Sequence, residues 1–253
     1  FPGRWAGWFV SRLPPIGAAK LVAGKIDFTP STGQGGAGRT ALPGVEHHSK
    51  SPVPSRLMTI EHNPELVLAS ASPRRRELLS QIGIEYRVVV ADLDETPQDG
   101  ETPGDYVCRM ACEKAAEILS REQSRIPVLG ADTAVIIDDE ILGKPTDRQH
   151  AIHMLNDLSG RTHEVWSAVA VALPDGQVLQ ALNVTRVTFA EMERGWIEAS
   201  CYSGDQMDKA GAYGVQGLAA QKIVRLEGSY SGVMGLPLFV TSELLRTAGL
   251  LKY

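Results

Sequence analysis

The sequence predicts an α/β fold built on one mixed sheet, and three features of the chain carry that prediction. Between Glu65 and Thr247 the apolar period switches repeatedly between 2 and 3.6 residues, as it does where strands and helices alternate. Ser72-Pro73 and Gly83 bracket a short run as helix start and stop. Pro174-Asp175-Gly176 separates two long alternating stretches, the pattern of an antiparallel ribbon.

Taken in order, Leu66 to Ala69 is apolar throughout and reads as a buried strand, followed by a helix from Pro73 to Ile82 and a strand from Tyr86 to Ala91. A second helix, about Gly104 to Ser120, carries Val107, Met110, Ala111, Ala115 and Ile118 on one stripe at i, i+3, i+4 spacing. Pro127 to Ala131 reads as a buried strand; Ala134 to Ile137 and Glu140 to Leu142 flank an Asp-Asp turn; Asp147 to Leu158 is a helix closed by Gly160. His163 to Leu173 and Gln177 to Phe189 form the ribbon, and Glu191 to Ser200 is a helix. A Gly-rich loop over 204–219, a strand from Gln221 to Leu226 and a helix ending near Thr247 complete the chain. No internal repeat follows Met58.

The 253 residues are 43% hydrophobic and 22% charged, enough apolar material for a real core and too much for wholesale disorder. No stretch approaches the roughly 18 uninterrupted apolar residues of a spanning helix. The net charge of −5 argues against nucleic acid and anionic membranes as partners, so any phosphate must be met by a few placed cations. Three cysteines, Cys108, Cys112 and Cys201, cannot build a disulfide framework in a chain this long, which reads as a reducing, cytoplasmic compartment.

Composition breaks near residue 57. Residues 1–57 hold seven Lys/Arg against two acids, leaving −10 on the other 196, and they are rich in Gly and Pro. The expectation is an unfolded or non-native extension over 1–57 and a folded domain over 58–253. The first methionine is Met58, so the head reads as translated upstream sequence, with a mitochondrial-type leader as the rival. Gly33, Gly35 and Gly38 match G-x-G-x-x-G, but Pro30 before them and RTALPG after them deny the strand and helix that a dinucleotide cradle needs.

The first strand–helix junction reads Ala69-Ser70-Ala71-Ser72-Pro73-Arg74-Arg75-Arg76. Small residues admit a ligand close to the backbone, the helix start offers free N–H groups, and arginines add forked donors, so the junction suits an anion. Cations at a helix N-terminus are otherwise unfavourable, and a bound anion resolves the conflict. Lys114 falls on the inward stripe of the second helix, where it either snorkels or faces a cleft and neutralises phosphate. Two acidic points follow apolar strands: Asp92, Asp94 and Glu95 after Val88-Val89-Val90, and Asp132 after Val128-Leu129-Gly130. Strand C-terminal ends are where open α/β sheets place ligands, and acids beside lysines and arginines suggest Mg²⁺ held against phosphates. Gly143-Lys144-Pro145 brings another lysine, and the loop from Asp208 to Gly217 has glycines for close approach with amide and hydroxyl groups for reading a base. Cys108 and Cys112 lack further ligands and read as core filler, and His150 and His153 as surface residues.

The string VVVADLDET over 88–96 also fits the strand-then-DxDxT pattern of haloacid-dehalogenase-like phosphatases, which would make Asp92 a covalent nucleophile. That reading leaves SPRR, GADT and DKAGAYG unexplained. From Leu66 to Gly249 the chain resembles the Maf-like nucleotide pyrophosphatases, through LASASPRRRELL, CEKA, LGADTAVI, LGKP, LSGRTHEV, DKAGAYGVQG and SYSGVMGLPL in order. The resemblance implies a single two-lobed α/β domain, similar to inosine-triphosphate pyrophosphatases, with a mixed sheet and a central cleft. It further implies a cytoplasmic homodimer that cuts a nucleoside triphosphate to monophosphate and pyrophosphate with a divalent cation, Mg²⁺ or Mn²⁺. By position, Asp132 matches the family's proton acceptor or metal ligand and Glu95 a metal-associated carboxylate; Lys114, Lys144 and Lys209 match its cleft lysines, and Arg74 and Arg75, beside Ser70, its phosphate-binding residues. Arg74, Thr133 and Gln216 match the specificity positions of the dTTP/UTP-selective subgroup, which implies a pyrimidine substrate. A nucleotide-binding regulator of septum formation is the other role that the family suggests, since a sensor needs the same phosphate contacts.

Overall fold

The computed structural model describes residues 64–202 and 204–252. The expectations for residues 1–57, for Met58 as a start and for the Gly33, Gly35, Gly38 spacing lie outside the described residues. The described chain forms strands β1 (Leu66–Leu68), β2 (Tyr86–Val88), β3 (Val128–Ile137), β4 (Glu140–Leu142), β5 (Thr162–Ala172), β6 (Val178–Phe189) and β7 (Ile223–Glu227). Between them lie helices α1 (Pro73–Gln81), α2 (Pro103–Arg121), α3 (Arg148–Leu158) and α4 (Arg194–Ser200), and after β7 come α5 (Tyr230–Met234) and α6 (Leu238–Thr247). Among the described residues no helix is long and apolar enough to cross a membrane.

All seven strands join one sheet in the order β2-β1-β3-β5-β6-β7, with β4 added on β3. β1 is parallel to β2 and β3, and every other pairing is antiparallel, so the mixed α/β sheet read from the sequence is the one observed. β5 pairs β3 from Val128 to Ile136. On the opposite edge of β3, β1 pairs only Val128 and Leu129 and β4 only Val135 to Ile137. Between those partners the edge of β3 around Asp132 and Thr133 faces no strand, and the sheet opens there.

Alternation along the strands builds the core on both faces. Leu66, Leu68, Leu129, Ala131, Val169 and Val171 pack with Leu78 and Leu79 of α1 and Leu244 and Leu245 of α6. Val67, Ala69, Val128, Ala168 and Ala170 pack on the α2 stripe of Val107, Ala111, Ala115 and Ile118. Val135, Ile137, Val187 and Phe189 form a second lobe with Ala151, Leu155 and Leu158 of α3 and Ile197 of α4. Burying these apolar surfaces is the dominant stabilising term, about 25 cal/mol per Å² removed from water.

Two sequence expectations need correction. The two short strands expected at 127–131 and 134–137 are one ten-residue strand, because β5 supplies an antiparallel partner straight through Asp132-Thr133. Asp132 therefore sits in mid-strand, not at a strand end. The last helix ends at Thr247 as expected; the short α5 precedes it, and with Gly235 at φ +117 and Pro237 at the α6 cap the backbone turns sharply between them. The Gly-rich loop contains two 3-10 turns, Ala210–Ala212 and Leu218–Lys222, and the second delays β7 to Ile223.

Candidate active site

The gap in the sheet opens into a cleft of about 910 Å³, the size of a small-molecule site. Ser70, Arg74, Arg75, Glu95, Lys114, Asp132, Thr133, Lys144, Lys209 and Gln216 all line it. Asp92 is exposed and lies outside that lining, as does Asp94, whose carboxylate accepts from the Thr96 backbone and hydroxyl to close a local turn. The DxDxT reading thus finds its would-be nucleophile outside the cleft.

On the α2 side, Lys114 comes from the buried stripe of its helix, and its side chain is only 10% exposed. Its Nζ donates to Asp132 Oδ1 at 2.7 Å and pairs with Glu95 Oε1 at 2.6 Å. The lysine does not snorkel out; it bridges two acids that sequence places 37 residues apart. Burial pushes the Glu95 carboxyl up, but the bond and charge of Lys114, with Lys144 and Arg75 nearby, hold it below the usual carboxylate range. Glu95 lies on a segment without regular structure that α2 fixes from below. Tyr106 Oη donates to the Glu95 carbonyl at 3.0 Å, and Arg109 reaches the Thr96 carbonyl while gripping Glu101. Burial, with Asp132 and Glu95 nearby, pushes the Tyr106 phenol up to about 12, so it remains a donor.

On the other side stands the start of α1. Ser72 caps the helix by accepting from the Arg75 N–H, Pro73 occupies its first turn, and that turn holds no acid. Arg75 turns inward. Its Nε donates to the Gly235 carbonyl at 2.8 Å, Nη1 to Ser70 Oγ at 3.4 Å and Nη2 to Thr133 Oγ1 at 3.3 Å. Burial lowers its pKa, with Asp132 and Glu95 opposing, and a guanidinium keeps its charge regardless. Arg75 is thus a strut joining β1, β3 and the α5–α6 corner, with part of its fork left for a ligand. Thr133 also shares a 3.1 Å hydrogen bond with the fully buried Ser167, whose hydroxyl donates to the Gly232 carbonyl.

Arg74 points across the cleft to Asp208, Nη1 to Oδ2 at 3.2 Å, and Asp208 Oδ1 lies 2.5 Å from Lys209 Nζ. Lys209 also donates to the Asp205 carbonyl. Burial would push the Asp208 carboxyl up, but Lys209 and Arg74 hold it below the usual range. The sequence marks Asp208 only as the start of the Gly-rich loop and as a match to the late acidic motif of the dehalogenase-like reading; the structure makes it a cleft residue. Its counter-charge answers part of the conflict expected at the α1 N-terminus, and the available signal was an acid directly before a cleft lysine. Lys144 follows β4 and is exposed, and the Gly143 carbonyl before it accepts from Gly211 N at 3.1 Å, tying the two loops. Gln216 is an exposed residue on the cleft wall.

Electrostatically the cleft gathers an acid pair bridged by Lys114, the arginines Arg74 and Arg75 of the α1 start, and the loop lysines Lys144 and Lys209. Such a site can seat a polyanion with its charge spread over several cations. No group of three His, Cys, Asp or Glu side chains suited to a metal occurs among the described residues, and Cys108 and Cys112 are free.

The family model described as Maf-like protein matches residues 65–248. The protein named dTTP/UTP pyrophosphatase in Bordetella avium is 48% identical over 199 residues, covering 76% of this chain and 98% of the relative. The protein of the same name in Methylobacillus flagellatus is 50% identical over 185 residues, covering 73% of this chain and 92% of its own. Among solved structures, a HAM1 protein from Coxiella burnetii aligns over 73% of this chain and 100% of its own at 17% identity, with a TM-score of 0.44, a level at which no site can be compared.

Proposed function

The chain belongs to the Maf-like protein family, and on that premise we propose that it is a nucleoside triphosphate pyrophosphohydrolase that cuts dTTP and UTP to the monophosphate and pyrophosphate. The observation that carries the reading is Lys114 bridging Glu95 and Asp132 in one cleft with the arginines of the α1 start. Carboxylates that can hold a cation, beside several positive side chains that can neutralise phosphate oxygens, suit cleavage between two phosphates.

The donor set fits a divalent cation of the Mg²⁺ or Mn²⁺ kind, which takes one or two protein carboxylates and completes its shell with phosphate oxygens and water. Glu95 and Asp132 would hold it, since each engages Lys114 through one carboxylate oxygen and both line the cleft. When bound, such an ion supplies Lewis-acid polarisation of the phosphate oxygens.

The chain's own groups do the rest. Lys114 holds both carboxylates in place and favours the ionised form of Glu95. Arg74, Lys144 and Lys209 offset the negative charge that grows on the leaving pyrophosphate, an interaction stronger in the transition state than in the bound substrate. Arg75, already fixed by Ser70, Thr133 and Gly235, offers its remaining N–H groups to phosphate without paying to be ordered. Asp132, which matches the family's proton-acceptor position, is assigned to take the proton of an attacking water. The free cysteines support a cytoplasmic setting, and the net negative charge of the sequence from 58 to 253 supports a small anion met at one site in preference to nucleic acid or membrane. The family resemblance supports a homodimer.

Product analysis tests the reading directly. Purified protein with Mg²⁺ or Mn²⁺ is expected to release pyrophosphate fastest from dTTP and UTP in a panel with CTP, GTP and 7-methyl-GTP, and a chelator is expected to stop it. Orthophosphate as the only product would sink it. Gln216→Ala is expected to narrow the gap between dTTP and the other nucleotides by about tenfold, with a smaller change in kcat for dTTP. Equal losses for every nucleotide would mean that Gln216 only supports its loop.

A further inference from the structure

His163 is a buried histidine that the chemistry above does not use. It is 2% exposed, on β5, and its side chain does not line the cleft. Its Nε2 shares a 2.7 Å hydrogen bond with Tyr213 Oη. Phe189 closes the cluster, its ring 5.3 Å from His163 and 5.0 Å from Tyr213, with His163 and Tyr213 edge to face at 5.4 Å. His163 Nδ1 has no hydrogen-bond partner among the described residues. Burial pushes the imidazole down to about 4, so it is neutral at physiological pH and offers one N–H and one lone pair. Leaving one ring nitrogen orphaned in an apolar cluster is costly, and a phenylalanine would fill the same space without that cost. The polar ring is therefore there for its one bond.

That bond ends on the residue that anchors the cleft loop. Tyr213 is buried and lines the cleft, four positions after Lys209 and three before Gln216. The turn just before it is conformationally demanding: Gly211 has φ +65 and Ala212, which carries a Cβ, has φ +59. Its backbone ties are few, Ala212 N to the Lys209 carbonyl at 3.2 Å and Gly211 N to the Gly143 carbonyl at 3.1 Å. The second of these also sets the turn that carries Lys144. A loop with two consecutive left-handed residues keeps one geometry only if something holds its far end, and the Tyr213 hydroxyl seated on His163 does so.

We propose that His163 is a positioning residue for nucleotide selection: by holding Tyr213, it fixes the loop whose two ends present Lys209 and Gln216 to the cleft. The assignment rests on the reading of the cleft as a nucleotide site. It makes base choice depend on a side chain that touches no substrate. Removing the bond from either end frees the loop, so the two single variants lose the same thing and the double variant loses little more.

The test uses His163→Phe, Tyr213→Phe and the double variant of the full chain, with pyrophosphate release from dTTP, UTP and CTP and amide hydrogen exchange measured on each. Expected are a roughly tenfold fall in the preference for dTTP over CTP, carried by KM more than kcat, and faster exchange over residues 208–217 with the central sheet unchanged. The double variant is expected to match the worse single variant. An unchanged nucleotide preference overturns the proposal, as does unchanged exchange in the loop, and so does an equal loss for every nucleotide. If the wild-type protein releases no pyrophosphate from any triphosphate, the functional reading fails, while the exchange measurement still decides whether His163 holds the loop.

Discussion

Asp132→Asn is expected to lower kcat for dTTP by about 10³-fold, or roughly 4 kcal/mol of transition-state stabilisation, while leaving the protein folded. The carboxamide oxygen can still accept from Lys114 Nζ, now 2.7 Å from Oδ1, so the buried lysine keeps an acceptor and its second partner, Glu95. What is lost is charge and basicity. One of the two carboxylates available to a divalent cation becomes neutral, and the side chain can no longer take a proton. A stability loss of about 1 kcal/mol accompanies the weaker hydrogen bond, read as a small drop in Tm. Steady-state kinetics at saturating metal and a thermal melt check both halves. Near-normal turnover in a folded Asp132→Asn protein would remove Asp132 from the chemistry and leave Glu95 as the acid to pursue.

Much of this cleft was legible because its chemistry is written locally. Ser72-Pro73 announces the helix start that is observed, and Arg74 and Arg75 just behind it line the cleft; both follow from neighbours in sequence. Lys114 could be put on an inward face from the period of α2 alone. What the residues around it could not tell was whether it snorkels or pairs, because the answer lies on Glu95 and Asp132 in other elements. The misplacement of Asp132 has the same origin. An acid after three small or apolar residues looks like a strand end, and only β5, thirty-odd residues later, makes the strand continue. The pairing of Asp208 is invisible in its own loop because the partner is Arg74, 134 residues away. Arg75 was expected to wait for a ligand, whereas Gly235 and Thr133 already hold it, through contacts that span 160 and 58 residues. The general pattern is physical: capping, period and turn chemistry act over a few residues, but charge pairing and close backbone approach are settled by which strands become neighbours.

Gly130→Ala is the clearest test of that last point. Gly130 lies two residues before Asp132, and its backbone has no unusual dihedral; the demand on it is space alone. A Cβ there would stand 2.2 Å from the Ala111 carbonyl oxygen and 2.9 Å from the Ala115 nitrogen, both backbone atoms of α2. No rotamer relieves such contacts, so the helix itself must move by about an ångström, at the roughly 1–3 kcal/mol or more typical of overpacking. Lys114 sits on α2 between those two residues, and the shift would carry Nζ off Asp132 and Glu95 together. A misplacement of that size costs about 10² in rate, so kcat/KM is expected to fall by at least that factor and Tm by about 5–10 °C. Gly195→Ala, on α4 with nothing within 4 Å of its would-be Cβ, is the control, expected to leave turnover and Tm near wild type. Adding Ala115→Gly to Gly130→Ala removes only the side-chain contact at 3.1 Å and leaves the clash with the Ala111 carbonyl, so it should not restore activity. If Gly130→Ala instead melts and turns over like the wild type, α2 does not approach β3 this closely, and the Lys114 bridge loses the support on which the site is built.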